Sequence, residues 1–379
     1  MKTATIVRLS CVNAVGFSGS TVMPLWLGSI AGHFGMPPWF AGAAVMALLG
    51  GSALFNLATP ILFRTVALLP LARTSLLIAA LSYALGMVHS PWLFLAACLL
   101  TGGALGVLLN VTNRLMGSHE HVQKGYAIFQ LIEIFFATAL FLGCTTVIAR
   151  FGLAAMFPLA AATGLLGLAL LHRLPLDGAM PSVMGETEGP AHRGRAIVTL
   201  IAFGLFFIGQ ATINAFMPII GQAAGLTAEH AGQLIGLGMP FGFAGALLAR
   251  VIGERVSPVM AIAVTTIVLA IGAPWVTAAP TVPLFVATVI VLVAFTIFSV
   301  PYFFAQLGAL DRHGRYTAFG PAMMLAGIAI GPSAAVLINS RLGLGAVGLF
   351  SSAFLLIAGG AFAAAVLAWR SAPGAAPSL

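Results

Sequence analysis

The sequence predicts an all-α integral membrane protein with twelve transmembrane helices in two pseudo-symmetric six-helix bundles. Three observations carry that prediction. Of the 379 residues 60% are hydrophobic and 6% charged, whereas soluble domains carry about 25% charged residues, so a water-soluble surface cannot be assembled. Twelve apolar runs are each long enough to cross about 30 Å of hydrocarbon, which takes roughly 20 helical residues. The chain also repeats itself. Arg150-Phe151-Gly152-Leu153 returns as Arg341-Leu342-Gly343-Leu344, Tyr126-Ala127-Ile128-Phe129 as Tyr316-Thr317-Ala318-Phe319, and the turn from Gly35 to Gly42 as Gly225 to Gly232, at shifts of 191, 190 and 190. One offset shared by three separated segments marks two similar halves, with a cavity expected between them.

The runs of the first half are 5–31, 38–62, 71–89, 91–116, 124–149 and 153–172. Those of the second are 197–222, 228–252, 257–277, 281–308, 316–340 and 344–369. The first run is too long, and its polar flank too slight, for a cleaved signal peptide, so it counts as a helix. The segment 173–195 holds Pro175, Pro181 and Pro190 beside Asp177, Glu186 and Glu188. It reads as a cytoplasmic linker between an N-terminal bundle, 1–172, and a C-terminal bundle, 196–379.

Charge sets the orientation, because short loops rich in Lys and Arg stay in the cytoplasm. With both ends inside, Lys2, Arg8, Arg64, Arg73, Arg114, Lys124, Arg173, Arg193, Arg195, Arg250, Arg255, Arg312, Arg315 and Arg370 fall on the cytoplasmic side. Only Arg150 and Arg341 fall outside, and those two are repeat-related. Indole rings prefer the membrane interface, and Trp26, Trp39, Trp92 and Trp275 map to outer ends and Trp369 to an inner one. The net charge of +8 is thereby used up as topology, leaving no basic patch for a nucleic acid. Cys11, Cys98 and Cys144 lie inside runs without metal or redox spacing, as small packing residues.

At this point the chain resembles the major facilitator superfamily over essentially its whole length, in twelve runs, two six-helix halves, a central cytoplasmic loop and inward termini. The family's loop signature after the second helix is nearly absent around Asn56 to Arg73. Its counterpart after the eighth survives as Gly245-Ala246-Leu247-Leu248-Ala249-Arg250 followed by Gly253-Glu254-Arg255, with Ala249 where an acid is expected. The eleventh run carries Gly327-x-x-x-Gly331-Pro332, similar to a motif that some exporters carry on the fifth helix. The resemblance implies a carrier of small solutes that works by alternating access, one bundle rocking against the other.

Backbone features fit such a carrier. Pro24, Pro218, Pro240, Pro301, Pro321 and Pro332 are expected to interrupt runs, which is tolerated where helices line a cavity. Glycines four apart, Gly102 and Gly106, Gly232 and Gly236, Gly238 and Gly242, are expected to let helices approach closely. Proline and glycine are also simply common in membrane helices.

Of the eight carboxylates, Glu120, Asp177, Glu186, Glu188, Glu229, Glu254 and Asp311 fall in loops or at helix ends. Glu133 alone stands inside an apolar run. Counted inward from Lys124 it lies about 14 Å deep at 1.5 Å per residue, near the bilayer centre. An ionised group there costs at least about 2.5 kcal/mol on the mildest scale, so such residues usually face a cavity and carry function. No Lys or Arg shares that depth, and all eight histidines map to loops or ends. A carboxyl without a cation is neutral when dry and ionised when wetted, and can take up and release a proton as the cavity changes sides. Glu133 is the predicted proton-coupling residue. The alternative is a protonated Glu donating a hydrogen bond to a neighbouring helix or to a neutral substrate.

Other polar side chains come in helical pairs three or four apart, each on one helix face: Gln130 with Glu133, Gln210 with Asn214, Asn110 with Asn113, Tyr302 with Gln306. With Asn13 on the first run, they lie on helices that border the central cavity in the resembled family. Gln130, Gln210, Asn214, Asn13 and Tyr302 are the predicted substrate contacts. Asn110, Asn113 and Gln306 lie nearer the cytoplasmic end and suit a gate. The bland reading is that such residues glue helices together, at about 0.6 kcal/mol each.

A multivalent anion would be expected to meet Arg or Lys at depth, and none is offered; Arg8 and Arg114 are close to the inner surface. Phe17, Phe135, Phe136, Phe206, Phe207, Met217 and Met239 are flexible or apolar surface suited to amphipathic compounds, or else packing and lipid-facing residues. His119-Glu120-His121 lacks a third ligand and helical spacing, so it is discounted as a metal site. Asn110-Val111-Thr112 matches a glycosylation acceptor but sits inside a helix.

The sequence therefore points to a proton-coupled secondary transporter of a small, lipophilic or weakly polar organic solute, with export ahead of import. It is expected to be a monomer in a bacterial-type inner membrane, both termini cytoplasmic. Its expected partners are protons, a small-molecule substrate and the bilayer, with no nucleic acid, no metal and no cofactor beyond the proton gradient. A membrane-embedded enzyme or lipid-handling protein is the other class, and an enzyme would call for clustered His, Asp or Cys at one face.

Overall fold

The computed structural model describes residues 3–27, 30–37, 39–63, 65–117, 122–172, 190–310 and 315–370. Nearly all of them are helical. In chain order the helices are α1 (Thr3–Gly16), α2 (Ser18–Leu27), α3 (Ile30–His33), α4 (Trp39–Val45), α5 (Gly51–Leu62), α6 (Leu68–Leu85), α7 (Pro91–Gly117), α8 (Val122–Phe151) and α9 (Met156–His172). The second half follows with α10 (Pro190–Ala223), α11 (Ala228–Gly238), α12 (Phe241–Ile252), α13 (Pro258–Ala278), α14 (Val282–Leu310), α15 (Gly320–Leu342) and α16 (Leu344–Arg370). Among the described residues there is no strand. Eleven helical stretches among the described residues are long and apolar enough to cross a membrane, and the shorter apolar stretch Thr5–Gly16 stands at the place of the first predicted run. The chain is a multi-pass membrane protein.

The helices are interrupted at different places from those the sequence suggested. Pro218, Pro301 and Pro332 sit inside unbroken helices; Pro240 stands at a break, between α11 and α12, and Pro321 opens α15 just after the 3₁₀ turn Thr317–Phe319. A proline removes one backbone donor, and the freed carbonyl is readily satisfied in a packed membrane helix. The first predicted run is two helices, because Phe17 forms a turn between α1 and α2. The second contains a π-helical turn, Met46–Gly50, which continues directly into α5. Both irregularities fall beside glycine, in Gly16-Phe17-Ser18-Gly19 and Gly50-Gly51. Of the expected linker, 173–189 lie outside the described residues and α10 already begins at Pro190.

Backbone geometry repeats along with the sequence. Gly35 and Gly225, 190 apart, have φ of 62° and 92°; Gly152 and Gly343, 191 apart, have 84° and 81°. Left-handed backbone is open to glycine without the Cβ clash that other residues meet, so each half turns its chain at the same two places by the same device.

The chain divides into two compact units. The first comprises 1–120, 128–187 and 313–325; the second comprises 121–127, 188–312 and 326–379. Thus the opening residues of α8 belong to the second unit, and the 3₁₀ turn Thr317–Phe319 with the start of α15 belongs to the first.

In the first unit α7 is the central helix, buried along most of its length from Phe94 to Gly117. A Cβ on Gly102 would strike the backbone carbonyl of Leu48, and one on Gly106 that of Ser52. Lipid supplies no hydrophobic drive between apolar helices, so close backbone packing of this kind holds them. One cluster gathers Val22, Trp26, Phe40, Phe94, Met156 and Phe157, and a second gathers Val12, Leu71, Leu76, Leu108, Val111 and Leu171. Trp26 is thus a core residue, 2% exposed and edge-on to Phe94 at 5.6 Å, and not the interfacial anchor the sequence suggested. Trp92 and Trp275, at 65% and 66%, are exposed.

The second unit uses the same device with glycines at other positions. A Cβ on Gly327 would lie 2.7 Å from the Gly204 carbonyl oxygen, and one on Gly331 2.6 Å from that of Ile208. The Gly327-x-x-x-Gly331-Pro332 motif is therefore where α15 packs on α10. Gly245 meets the Ala294 carbonyl in the same way, and Gly238 meets Val289. Gly232 and Gly236, expected to make a close approach, face open space. Phe203, Phe206, Phe303 and Phe362 form a buried aromatic core, with ring centroids of successive neighbours about 5 to 6 Å apart.

Candidate functional site

Helix α8 carries Glu133 along a stripe of more buried residues. Phe129, Gln130, Leu140 and Cys144 are buried, Glu133 is half-buried, and Phe135, Thr138 and Leu142 are exposed. Counting from Val122, Glu133 stands about 16 Å along the axis at 1.5 Å per residue. Its Oε2 accepts a hydrogen bond of 3.2 Å from Nε2 of Gln130, one turn earlier. Phe136, the next turn, packs against the Trp26–Phe94 cluster and the Leu76–Leu108 cluster of the first unit.

The chemistry of this pair differs from that of an ion pair. A Lys or Arg beside Glu133 would hold the carboxylate ionised. A glutamine amide has a donor end and an acceptor end, so it can serve the ionised carboxylate through its NH₂ and the protonated acid through its carbonyl. The pair is chemically able to exist in both protonation states without leaving a buried polar atom bare.

Asn13 is 2% exposed, and its Oδ1 accepts from Thr112 Oγ1 at 2.8 Å and from Asn113 Nδ2 at 2.9 Å. Those two residues also bond back to carbonyls of α7, at Leu108 and Leu109. Asn13 and Asn113 are thus brought together as a polar link between α1 and α7, with the acceptor of Asn13 engaged inside the protein.

Asn110 makes a second link. Its Nδ2 donates to the Asn56 carbonyl at 2.9 Å and to the Ala318 carbonyl at 3.3 Å, while Asn56 Nδ2 donates to the Gly106 carbonyl at 3.1 Å. Thr317 Oγ1 donates to the Asn113 carbonyl at 3.2 Å. The predicted gate residues Asn110 and Asn113 thereby hold the turn that opens α15. Asn56, inside the second predicted run, is fully buried within α5. Asn56 and Thr112 went unnamed as site candidates, although Ser52 and Thr59 stand four before and three after Asn56, and Asn110 and Asn113 flank Thr112, a polar spacing that could have flagged them.

Tyr302 and Gln306 sit on α14, both buried. The Tyr302 hydroxyl donates to the Gly253 carbonyl at 3.4 Å, and Gln123 Nε2 donates to the same oxygen at 2.9 Å. Tyr126, one turn past Gln123, stacks on Phe304 with centroids 3.9 Å apart. Gln306 Nε2 is buried without a hydrogen-bond partner. Tyr302 therefore ties the end of α12 to α14 and to the opening turn of α8.

Gln210 and Asn214 lie one turn apart on α10 in a different setting. The residues around them, Gly209, Ala211, Thr212 and Ile213, are buried, but Gln210 is half-buried and Asn214 and Pro218 are exposed. The stripe Gln210–Asn214–Pro218 is a polar face that helix packing leaves uncovered.

The two irregular turns of the first unit meet around a cavity of about 10 Å³ lined by Phe17, Ser20, Leu48, Ser52, Leu105 and Leu325 among others, room for about one water. Of the apolar residues proposed from sequence as cavity surface, Phe17 lines this space. Phe206, Phe207 and Met217 belong to the core of the second unit, and Phe135 and Met239 are exposed at 69% and 51%. His119-Glu120-His121 lies outside the described residues.

No protein-family model and no curated protein matches the sequence. Solved structures do resemble the fold. The human organic anion transporter MFSD10 (TETRAN) has a TM-score of 0.74 at 16% identity, over 95% of this chain and 98% of that one. FucP, a major facilitator superfamily transporter in the outward conformation, has 0.77 at 15%, over 96% and 98%. A bacterial homologue of the iron transporter ferroportin in an outward-facing state with soaked iron has 0.75 at 14%, over 98% and 100%. The chain has the major facilitator fold.

Proposed function

We propose that the chain is a secondary transporter that moves a small, lipophilic or weakly polar organic solute across a bacterial-type inner membrane by alternating access, driven by the proton gradient through Glu133, with export ahead of import. The observation that carries this reading is the Gln130–Glu133 hydrogen bond on the more buried stripe of α8. A carboxyl at that depth is stable in both protonation states only if its partner can donate and accept, and glutamine can.

Substrate contacts follow from which polar groups remain free to be used. Asn13, Asn110 and Asn113 have hydrogen bonds inside the fold and Gln130 is engaged with Glu133, which leaves Gln210 and Asn214 as the better candidates. A small polar set in a mostly apolar surrounding suits a weakly polar organic compound. The likeness to a human organic anion transporter supports an organic solute.

In export, a proton entering from outside neutralises Glu133, and the substrate leaves in the state that the neutral acid favours. Deprotonation toward the cytoplasm restores the ionised pair with Gln130. A second reading, proton-coupled import of a small polar solute, draws on the likeness to the fucose:proton symporter FucP and the proton:xylose symporter XylE.

Flux into proteoliposomes under an imposed pH gradient, with lipophilic, neutral and sugar solutes side by side, tests both. Solute moving against the proton gradient supports the first reading, and solute moving with it the second. Absence of flux together with lipid modification would overturn both in favour of a lipid-handling protein.

A further inference from the structure

His33 ends α3, and His89 lies in the turn between α6 and α7, yet their imidazole rings stand 4.9 Å apart between centroids with planes at 76°. Phe34 touches both, at 4.9 Å from His33 and 5.3 Å from His89. Phe34 in turn packs on Phe40 at 5.9 Å and on Phe94 at 5.3 Å. Both imidazoles are exposed and belong to the first unit. Proton coupling through Glu133 makes no use of them.

We propose that His33 and His89 form a two-imidazole chelate for a divalent transition-metal ion of the zinc or cobalt class, on the face that the Lys and Arg count assigns to the outside. Metal–imidazole bonds of about 2.0–2.1 Å at a tetrahedral angle place two ring centres roughly 5 Å apart. The observed separation of 4.9 Å matches that spacing; the rings now meet edge to face, and binding requires them to turn so that one nitrogen of each addresses a shared ion. Phe34, itself backed by Phe40 and Phe94, abuts both rings from one side, the role that a hydrophobic shell plays around metal sites. Among the described residues no third His, Cys, Asp or Glu joins the pair. Water fills the remaining positions, and the ion is exchangeable.

An ion so held ties the end of α3 to the turn before α7, and a ligand that binds only the folded chain raises its thermal stability by mass action.

The test is a titration of the full-length, tag-free protein in detergent with Co²⁺ followed by visible absorbance, and with Zn²⁺ followed by thermal unfolding. The wild type is expected to bind one ion saturably and to unfold at a higher temperature in Zn²⁺. His33→Gln and His89→Gln are each expected to weaken binding at least roughly tenfold and to abolish the zinc shift, while unfolding normally without metal. His230→Gln, an exposed histidine of the second unit, is expected to bind as the wild type. Absence of saturable binding, unchanged affinity in His33→Gln or His89→Gln, or equal loss in His230→Gln overturns the proposal.

Discussion

Gln130 donates to Glu133 across 3.2 Å, one helical turn apart on a stripe of α8 that faces away from the exposed Phe135. The sequence spacing allowed that bond; the fold adds that its donor is buried while its acceptor is only half so. A carboxyl bonded to an amide that can both donate and accept can change protonation state without dismantling the packing.

Glu133→Gln keeps the shape and removes the titration. Gradient-driven flux is expected to fall at least about tenfold, a loss of about 1.4 kcal/mol of driving coupling, while exchange at equal pH on both sides persists. Proteoliposome flux with and without an imposed gradient measures the two, and gradient-driven flux equal to wild type would remove Glu133 from coupling.

Asn13→Ala strips the acceptor shared by Thr112 and Asn113. Polar contacts between membrane helices average about 0.6 kcal/mol and reach about 1.7, so the loss should be of the order of 1 kcal/mol, read as a lower melting temperature in detergent. A change in substrate affinity with no change in melting would instead make Asn13 a substrate ligand.

Gly106→Leu drives a side chain into the Ser52 backbone, and overpacking of this kind costs about 1–3 kcal/mol. Gly331→Leu should do the same against Ile208. Gly272→Ala, where a Cβ meets nothing within 4 Å, is expected to be neutral or slightly stabilising, since alanine is the better helix former. Thermal unfolding of the three variants separates close packing from a general intolerance of substitution.

Tyr302→Phe removes a long 3.4 Å bond to a carbonyl that Gln123 still satisfies at 2.9 Å. It is expected to destabilise by less than about 0.5 kcal/mol, and Gln123→Ala by about 1 kcal/mol. The double variant should exceed the sum of the two, because only then is the Gly253 oxygen left bare. Simple additivity of the melting shifts would show that the two donors act independently.

Much of the fold was legible in the chain because membrane solvent is a strict constraint. Every backbone group in hydrocarbon must bond within its own helix, so run length and charge placement suffice for counting spans, and the repeat offset anticipated the paired left-handed glycines at 35 and 225 and at 152 and 343. The helix interruptions were less legible. The break expected at Pro240 is there, but the helices absorb Pro218, Pro301 and Pro332, and further irregularities fall at Phe17 and at Met46–Gly50.

The sequence by itself determined the solvent, the helix content, the two-fold repetition and the singular position of Glu133, because these depend on composition and on spacing along one helix. Only the tertiary structure decided what each polar side chain does. Whether Asn13 faces a cavity or Thr112 and Asn113, and whether Trp26 meets lipid or Phe94, depends on which helix lies alongside and how it is rotated. In oil that choice is made by the fit of glycine against backbone, a match of surfaces from distant segments that periodicity within one segment does not record.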